Sequence, residues 1–303
     1  MKTVVNTPQG TELRTVDEPG PRAADEALVA VRAFSVNRGE LALLAARTED
    51  WRPGQDIAGV VTEAAADGSG PAPGTRVVAQ VEQGGWAELV PVPTDRLAAL
   101  PGEVGMEQAA SLPLAGLTAL RTLRLLPGGL LGRRVLITGA GGGVGRFQTE
   151  LAALGGAWVT AVADVRHEKA LAALGAAAVV PSVEDAEPGQ ELIAESVGGD
   201  SLAWALKRIA PGGTIAVIGT SSGEKTPLDV YDFIGHEGAR LVSYLSYAHP
   251  EPPARDLALL VGLVAADRLH PALARTADWT GLPAVLADFR ERRFSGKAVL
   301  TLG

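Results

Sequence analysis

Hydrophobic positions along this chain change rhythm near residue 110, and the two rhythms predict two architectures. Before that point, apolar and β-branched runs are short: "ALVAVRAFSVN" at 27–37, "IAGVVTEAA" at 57–65, "TRVVAQV" at 75–81 and "GWAELVPVP" at 85–93. Gly, Pro and Asp separate them at close intervals, the pattern of a compact antiparallel sheet or barrel. "PGEVGMEQAASLPLAGLTALRTL" then predicts a helix from Met106 with a kink at Pro113. From Arg134 strand and helix alternate: a buried strand at 135–138, a glycine turn, an amphipathic helix at 144–154 and a second buried strand at 158–163. Continuous apolar strands joined by helices of this length imply parallel pairing covered on both faces.

The alternation runs on through "RHEKALAALGA", "AVV" at 178–180, "ELIAES", "SLAWALKRIA" and a strand at 214–219. Between Val180 and Glu191 only "PSVEDAEPGQ" is available, too short and proline-flanked for a helix, so one crossover is expected to be truncated. "PLDVYDFIG" reads as a helix that ends at "GHEGAR". A further helical run, "ARDLALLVGLVAADRL", precedes a closing strand, "GKAVLTLG", expected to rejoin the β-rich half. The expected domains are therefore 1–111 with 248–303, and 112–247.

Composition narrows the chemistry. None of the 303 residues is cysteine, which removes thiolate zinc sites, iron–sulfur clusters, a cysteine nucleophile and any disulfide framework. The net charge of −8 and the lack of a basic tract argue against nucleic acid. No window approaches the roughly 20 apolar residues of a membrane span, and the opening "MKTVVNTPQGTEL" has no signal-peptide core. The expectation is a cytoplasmic protein acting on a small molecule.

Ala140, Gly142, Gly143, Val144 and Gly145 follow a strand and open a helix, the context in which a glycine string signals a dinucleotide. Small residues let the backbone approach a pyrophosphate, and the helix N-terminus offers unpaired N–H groups. After the second strand, "AVADVRHEK" sends opposing signals. Asp164 suits the ribose hydroxyls of NAD or a helix cap, whereas Arg166, His167 and Lys169 suit the 2′-phosphate of NADP or a solvated face.

These segments together resemble the medium-chain dehydrogenase/reductase superfamily, in its zinc-independent quinone-oxidoreductase-like branch. "FSVNRGEL", "PGQDIAGVV", "GGWAELVPVPTDRLAALP", "ASLPLAGLTAL", the glycine loop, "ESVGGDSL", "IAPGGT" and "GKAVL" fall in that family's order over nearly the whole chain. The resemblance implies a Rossmann-type doubly wound parallel sheet plus a β-rich, GroES-like catalytic domain discontinuous in sequence, and a homodimer. Zinc-dependent relatives carry Gly-His-Glu where this chain has Gly54-Gln55-Asp56, so Gln55 stands in place of the imidazole ligand. "GHEGAR" lies instead in the nucleotide domain, and no metal is expected at His236 and Glu237.

What the resemblance implies chemically is hydride transfer from a reduced nicotinamide, NADP(H) favoured and NAD(H) possible, to a quinone or an α,β-unsaturated carbonyl. Asn37, with Arg38 beside it, is the candidate to meet the acceptor's oxygen; as a turn residue it has a plainer role too. Thr118 is carried over as a nicotinamide-side contact, and Gly219, Ser221 and Ser222 as contacts along the cofactor. The family often presents a tyrosine in the turn after Asn37, where this chain has none; Trp51 is a candidate pocket wall and Tyr244, with Tyr247, a candidate catalytic or packing side chain. The competing functions are a cofactor-binding sensor with little turnover and a metal-free alcohol dehydrogenase. Asp164 is expected to turn outward, leaving Arg166 as phosphate partner.

Overall fold

A computed structural model describes residues 1–20 and 23–303, which cluster into two compact units, Met1–Leu117 with Pro250–Gly303, and Thr118–His249. The first contains β1 (Lys2–Thr7), β2 (Gly10–Thr15), β3 (Glu26–Val36), α1 (Arg38–Ala46), β4 (Asp56–Glu63), β5 (Arg76–Gln80), β6 (Leu89–Pro93), β7 (Leu97–Ala99) and α2 (Met106–Ala110). Helix α3 (Pro113–Leu123) carries the chain from this unit into the second. There follow β8 (Arg134–Ile137), α4 (Gly143–Leu154), β9 (Trp158–Val162), α5 (Glu168–Ala173), β10 (Ala178–Val180), β11 (Gln190–Glu195), α6 (Asp200–Leu206), β12 (Ile209–Val217) and β13 (Arg240–Ser243). The chain then returns to the first unit with α7 (Ala254–Ala265), β14 (Leu273–Asp278), α8 (Leu282–Arg290) and β15 (Lys297–Thr301).

Seven strands of the first unit form one sheet in the order β14-β15-β3-β4-β5-β7 with β6 paired to β3, and β1 and β2 form a separate hairpin. The closing strand does rejoin the first half: β15 pairs antiparallel with β3, Ala298 opposite Val36. Alternation along β3 divides its faces. Phe34 enters the apolar core, stacking on Trp86 at 5.5 Å and meeting Trp279 edge-on at 6.4 Å, while Ser35 takes the opposite face. Strands β3 and β4 approach so closely that a Cβ on Gly59 would lie 2.2 Å from the Ala30 carbonyl oxygen, a spacing only glycine allows.

In the second unit the sheet runs β10-β9-β8-β11-β12-β13, every pair parallel. Numbered within the unit this is 3-2-1-4-5-6, the dinucleotide-fold order, whose switch point falls between β8 and β11. No helix joins β10 to β11, so the truncated crossover is real.

Several expectations need correction. The segment from Met106 is two helices, because Ser111 closes α2 with its hydroxyl on the Gln108 carbonyl and Pro113 opens α3, where its missing N–H costs nothing. "PLDVYDFIG" forms only one 3-10 turn, Val230–Phe233, since Asp229 caps it and Gly235 turns the backbone away at φ +84°. "SLAWALKRIA" ends its helix at Leu206 and enters β12 at Ile209. β1, β2, β7, β14 and α8 were not anticipated. β14 is a mostly exposed edge strand without an apolar face, whereas α8 buries Leu282, Val285, Leu286 and Phe289 at helical spacing. Among the described residues no helix is long and apolar enough to cross a membrane.

Candidate functional site

Three neighbouring strands and a helix start bring a polar cluster together inside the first unit. Ser35 on β3 lies opposite Asp56 on β4, and Asn37 stands two residues beyond Ser35 on the same face. Lys297, at the start of β15, lies one step before the Ala298–Val36 pair and so reaches Asn37 from the other side. Asp56 and Glu40 are fully buried, and Lys297 and Asn37 are 3% and 6% exposed.

Asp56 is saturated: Oδ2 accepts from the Ser35 hydroxyl at 2.6 Å, Asn37 Nδ2 at 2.7 Å and Lys297 Nζ at 3.3 Å, and Oδ1 accepts from the Leu114 N–H at 2.8 Å. Lys297 Nζ also donates to Asn37 Oδ1 at 2.5 Å. Glu40 completes the group as N3 of α1, accepting from the backbone N–H groups of Asn37 at 2.7 Å and Gln55 at 3.0 Å. Burial, and then the neighbouring Asp56 charge, push the Glu40 carboxyl up to about 8.

Both ends of the Asn37 amide are thus engaged, and its second Nδ2 hydrogen has no partner among the described residues. Arg38 does not join this cluster; exposed on α1, its guanidinium lies 5.1 Å from the Phe289 ring centroid. Trp51 is core, donating from Nε1 to Gln83 at 2.8 Å, and lines an open depression of about 700 Å³ with Arg47 and Arg52 that does not include Asn37. Gln55 sits in the turn opened by Gly54, whose φ of +111° and contact with Trp86 exclude any side chain there.

Asp56 and Lys297 were missed as site residues, although "PGQDIAGVV" and "GKAVL" were both recognised. Their signal was present but split: an acid and a lysine each open a strand whose next residues are apolar and mostly buried.

In the second unit the glycine turn leaves β8 and packs its helix directly on itself. A Cβ on Gly145 would lie 2.6 Å from Ala140 Cα and from the Gly139 carbonyl oxygen, so the cradle requires glycine. Gly142 is the N-cap of α4, with no side chain closing the helix start, and Gly143, Val144 and Gly145 form its first turn. Their N–H groups are those a helix leaves unpaired, so the turn fits a pyrophosphate. Arg146 Nε donates to the Gly141 carbonyl at 3.0 Å, and the His167 ring packs over Gly141, where a Cβ would lie 2.6 Å from Cδ2. Burial, then the charges of Arg146 and Arg166, lowers the His167 pKa.

Asp164 caps the turn after β9, its Oδ1 accepting from the Arg166 N–H at 3.0 Å, with the Arg166 side chain exposed beside it. Lys169 is exposed on α5. The loop after β12 folds back to the same switch point, Ser221 N–H donating to the Ser196 carbonyl at 3.1 Å and Ser222 N–H to that of Val197 at 2.9 Å; Gly219 opens that loop. Thr118 is buried in α3, and its carbonyl accepts from the Thr122 hydroxyl at 2.7 Å. Tyr244 is buried beyond β13, its ring tilted against His249 at 6.0 Å. His236 Nδ1 bonds the Ile209 carbonyl at 2.6 Å, and Glu237 caps the Gly235 N–H, so the two side chains serve the loop they stand in.

A dinucleotide fold joined to a discontinuous β-rich unit is the architecture of a two-unit dehydrogenase. Residues 23–102 match the alcohol dehydrogenase GroES-like domain family and residues 143–261 the zinc-binding dehydrogenase family. Acrylyl-CoA reductase AcuI of Ruegeria pomeroyi is 31% identical over 275 residues, 82% of this chain and 80% of that protein. The chloroplast envelope quinone oxidoreductase homolog of Arabidopsis thaliana is 35% identical over 55% of each chain. The spectinabilin polyketide synthase system protein NorB of Streptomyces orinoci is 34% identical over 93% of this chain, which spans only 13% of that relative's length. Among solved structures, mycobacterial Rv1454c complexed with NADPH superposes with a TM-score of 0.86 over 100% of both chains at 23% identity. The chain belongs to the medium-chain dehydrogenase/reductase superfamily, in its quinone-oxidoreductase-like branch.

Proposed function

We propose that this protein is an NADPH-dependent oxidoreductase that reduces a quinone or an α,β-unsaturated carbonyl, enoyl thioesters included, without a metal. The observation that carries the reading is Asn37, an amide held rigidly at a strand end with one N–H uncommitted. A reduced nicotinamide, when bound, supplies the hydride. As the hydride reaches the acceptor's electron-poor carbon, charge develops on the carbonyl oxygen, and a preorganised N–H donor stabilises it at no reorganisation cost. AcuI, a reductase of acrylyl-CoA by name, supports the enoyl class, and the Arabidopsis relative the quinone class.

Gly142, Gly143, Val144 and Gly145 would hold the pyrophosphate, with Thr118, Ala140, Gly219, Ser221 and Ser222 along the cofactor. Arg166 would meet the 2′-phosphate with a charge-assisted bond, which favours NADPH over NADH, because Asp164 is engaged as a cap. Arg146 stands at the same turn and adds positive charge on that side, while His167, its pKa lowered, packs there as a neutral ring.

Metal independence rests on the donor set. Gln55 occupies the position of a histidine ligand, cysteine is absent, and no three His, Asp or Glu side chains among the described residues group as metal ligands. Elemental analysis of protein purified without added zinc should find it substoichiometric, with activity surviving chelator; zinc lost together with activity would refute this part. Tyr244 and Arg38 remain second candidates for the acceptor's surroundings. Exposed Val230, Tyr231, Ile234 and Tyr247 flank the edge strand β13 and support a homodimer, to be checked by light scattering. We place the protein in the cytoplasm.

The deciding experiment is NADPH and NADH consumption against quinones, short enones and enoyl thioesters. Turnover of at least one class is expected; cofactor binding without oxidation by any of them would favour a sensor.

A further inference from the structure

Asn37 and Lys297 stand 260 positions apart in the chain, yet Lys297 Nζ donates a hydrogen bond to the Asn37 side-chain oxygen. An amide has two nearly isosteric ends, and a free asparagine at a strand end samples both orientations by rotating about its last torsion. Here the surroundings distinguish them by charge. The oxygen faces an ammonium at 2.5 Å and the nitrogen faces a carboxylate at 2.7 Å. Rotation by half a turn would set N–H against N–H at Lys297 and lone pair against lone pair at Asp56. Both partners are almost fully buried, so neither reversal is relieved by water.

From this geometry we infer that Lys297 is a positioning residue for Asn37: with Asp56 it locks the amide in one orientation, and so keeps the nitrogen, with its uncommitted hydrogen, toward the acceptor's oxygen. The inference rests on the reading of Asn37 as the donor to that oxygen. Lys297 itself need not touch the acceptor; its effect passes through Asn37. Asp56 is anchored independently by the Ser35 hydroxyl and the Leu114 N–H, so it holds its place as one wall of the clamp, and Lys297 is the wall that can be removed.

The clamp makes a prediction that a general structural role does not. If Lys297 acts only through Asn37, removing it after Asn37 is gone should change nothing further, because coupled residues depart from additivity. The test is a double-mutant cycle on NADPH-dependent reduction of the best acceptor, with cofactor affinity followed separately by fluorescence titration. Asn37→Ala is expected to lower kcat by about 10²-fold, the scale of a lost oxyanion donor. Lys297→Met should lower kcat at least tenfold while NADPH affinity stays within twofold. In the Asn37→Ala background, Lys297→Met should change kcat less than twofold. An equal loss in both backgrounds would overturn the proposal, since Lys297 would then act independently of Asn37.

Should Lys297→Met fail to fold, the pair Lys297→Met with Asp56→Asn removes both charges and avoids a lone buried carboxylate. The same non-additivity with Asn37→Ala is expected of it, and additive losses would again overturn the proposal. A readout without turnover stands beside the kinetics. In a nitrogen–proton correlation spectrum, the Asn37 side-chain amide protons should exchange slowly in the wild type and rapidly in Lys297→Met; unchanged protection would show that no clamp exists. If Asn37→Ala alone leaves kcat intact while the amide is still protected by Lys297, the donor reading fails, and the two failures are told apart.

Discussion

The two units solve the problem of placing polarity inside protein in opposite ways. In the second, the polar groups offered to a ligand are backbone N–H groups of one continuous turn, and the side chains there are mostly missing by requirement. In the first, they are side chains brought from β3, β4, α1 and β15, and they satisfy one another before any ligand arrives. A backbone cradle is local, so it depends on steric clearance within a few residues. A side-chain network is distributed, so it depends on the sheet register that aligns its members, and the removal of one member leaves another buried without its partner.

The largest effect should come from breaking the distributed side. Lys297→Met strands Asp56 in the core and is expected to cost about 3–5 kcal/mol of stability, read from the denaturant midpoint; a loss under about 1 kcal/mol would mean the pair behaves like a surface contact. Next comes the recognition of the cofactor's outer phosphate. Arg166→Ala should weaken NADPH by roughly 1.5–3 kcal/mol and leave NADH nearly unchanged in a paired titration. If the wild type prefers NADH and Asp164→Ala removes that preference, the assignment reverses and Asp164 is the ribose ligand.

On the local side, Gly145→Ala pushes a methyl into the Ala140 and Gly139 backbone and should cut cofactor affinity at least tenfold, about 1.4 kcal/mol, together with a lower melting temperature because the backbone must give way. Unaltered affinity in folded protein would move the pyrophosphate elsewhere. The last effect is a slope with pH. Burial raises Glu40 from its ordinary 4.5 to about 8, so its folded form holds a proton that the unfolded form releases. The stability associated with that proton is complete below pH 4.5 and is lost as pH rises through about 8. Chemical denaturation between pH 5 and 8.5 should show the decline, and Glu40→Gln should flatten it; equal slopes would leave Glu40 without a role in it.

The same contrast governs what could be read in advance. Val144 to Leu154 and the strands on either side carry their periodicity within a few residues, so the glycine turn and its fold are legible at once. Asn37 was legible as a strand end, but its partners were not. Nothing near Asp56 announces a lysine 241 positions on, because only the β3–β15 pairing makes them neighbours. The hairpin β1–β2 was hidden by a half-polar sequence, and the helix expected at "PLDVYDFIG" failed because two helix-breaking residues and a cap confine it to one turn.

Because β15 completes a sheet begun by β3, the first unit has an order of assembly in time. A ribosome adding roughly 5–20 residues per second exposes Asp56 on the order of ten to fifty seconds before Lys297 can reach it, given their 241-residue separation. Throughout that interval, burying Asp56 would mean burying an acid without its cation. The contiguous second unit faces no such wait and can close while the first is still open. Its core is therefore expected to be protected on the nascent chain while Asn37 is still accessible to water, and the late arrival of one lysine sets the moment at which the site comes into being.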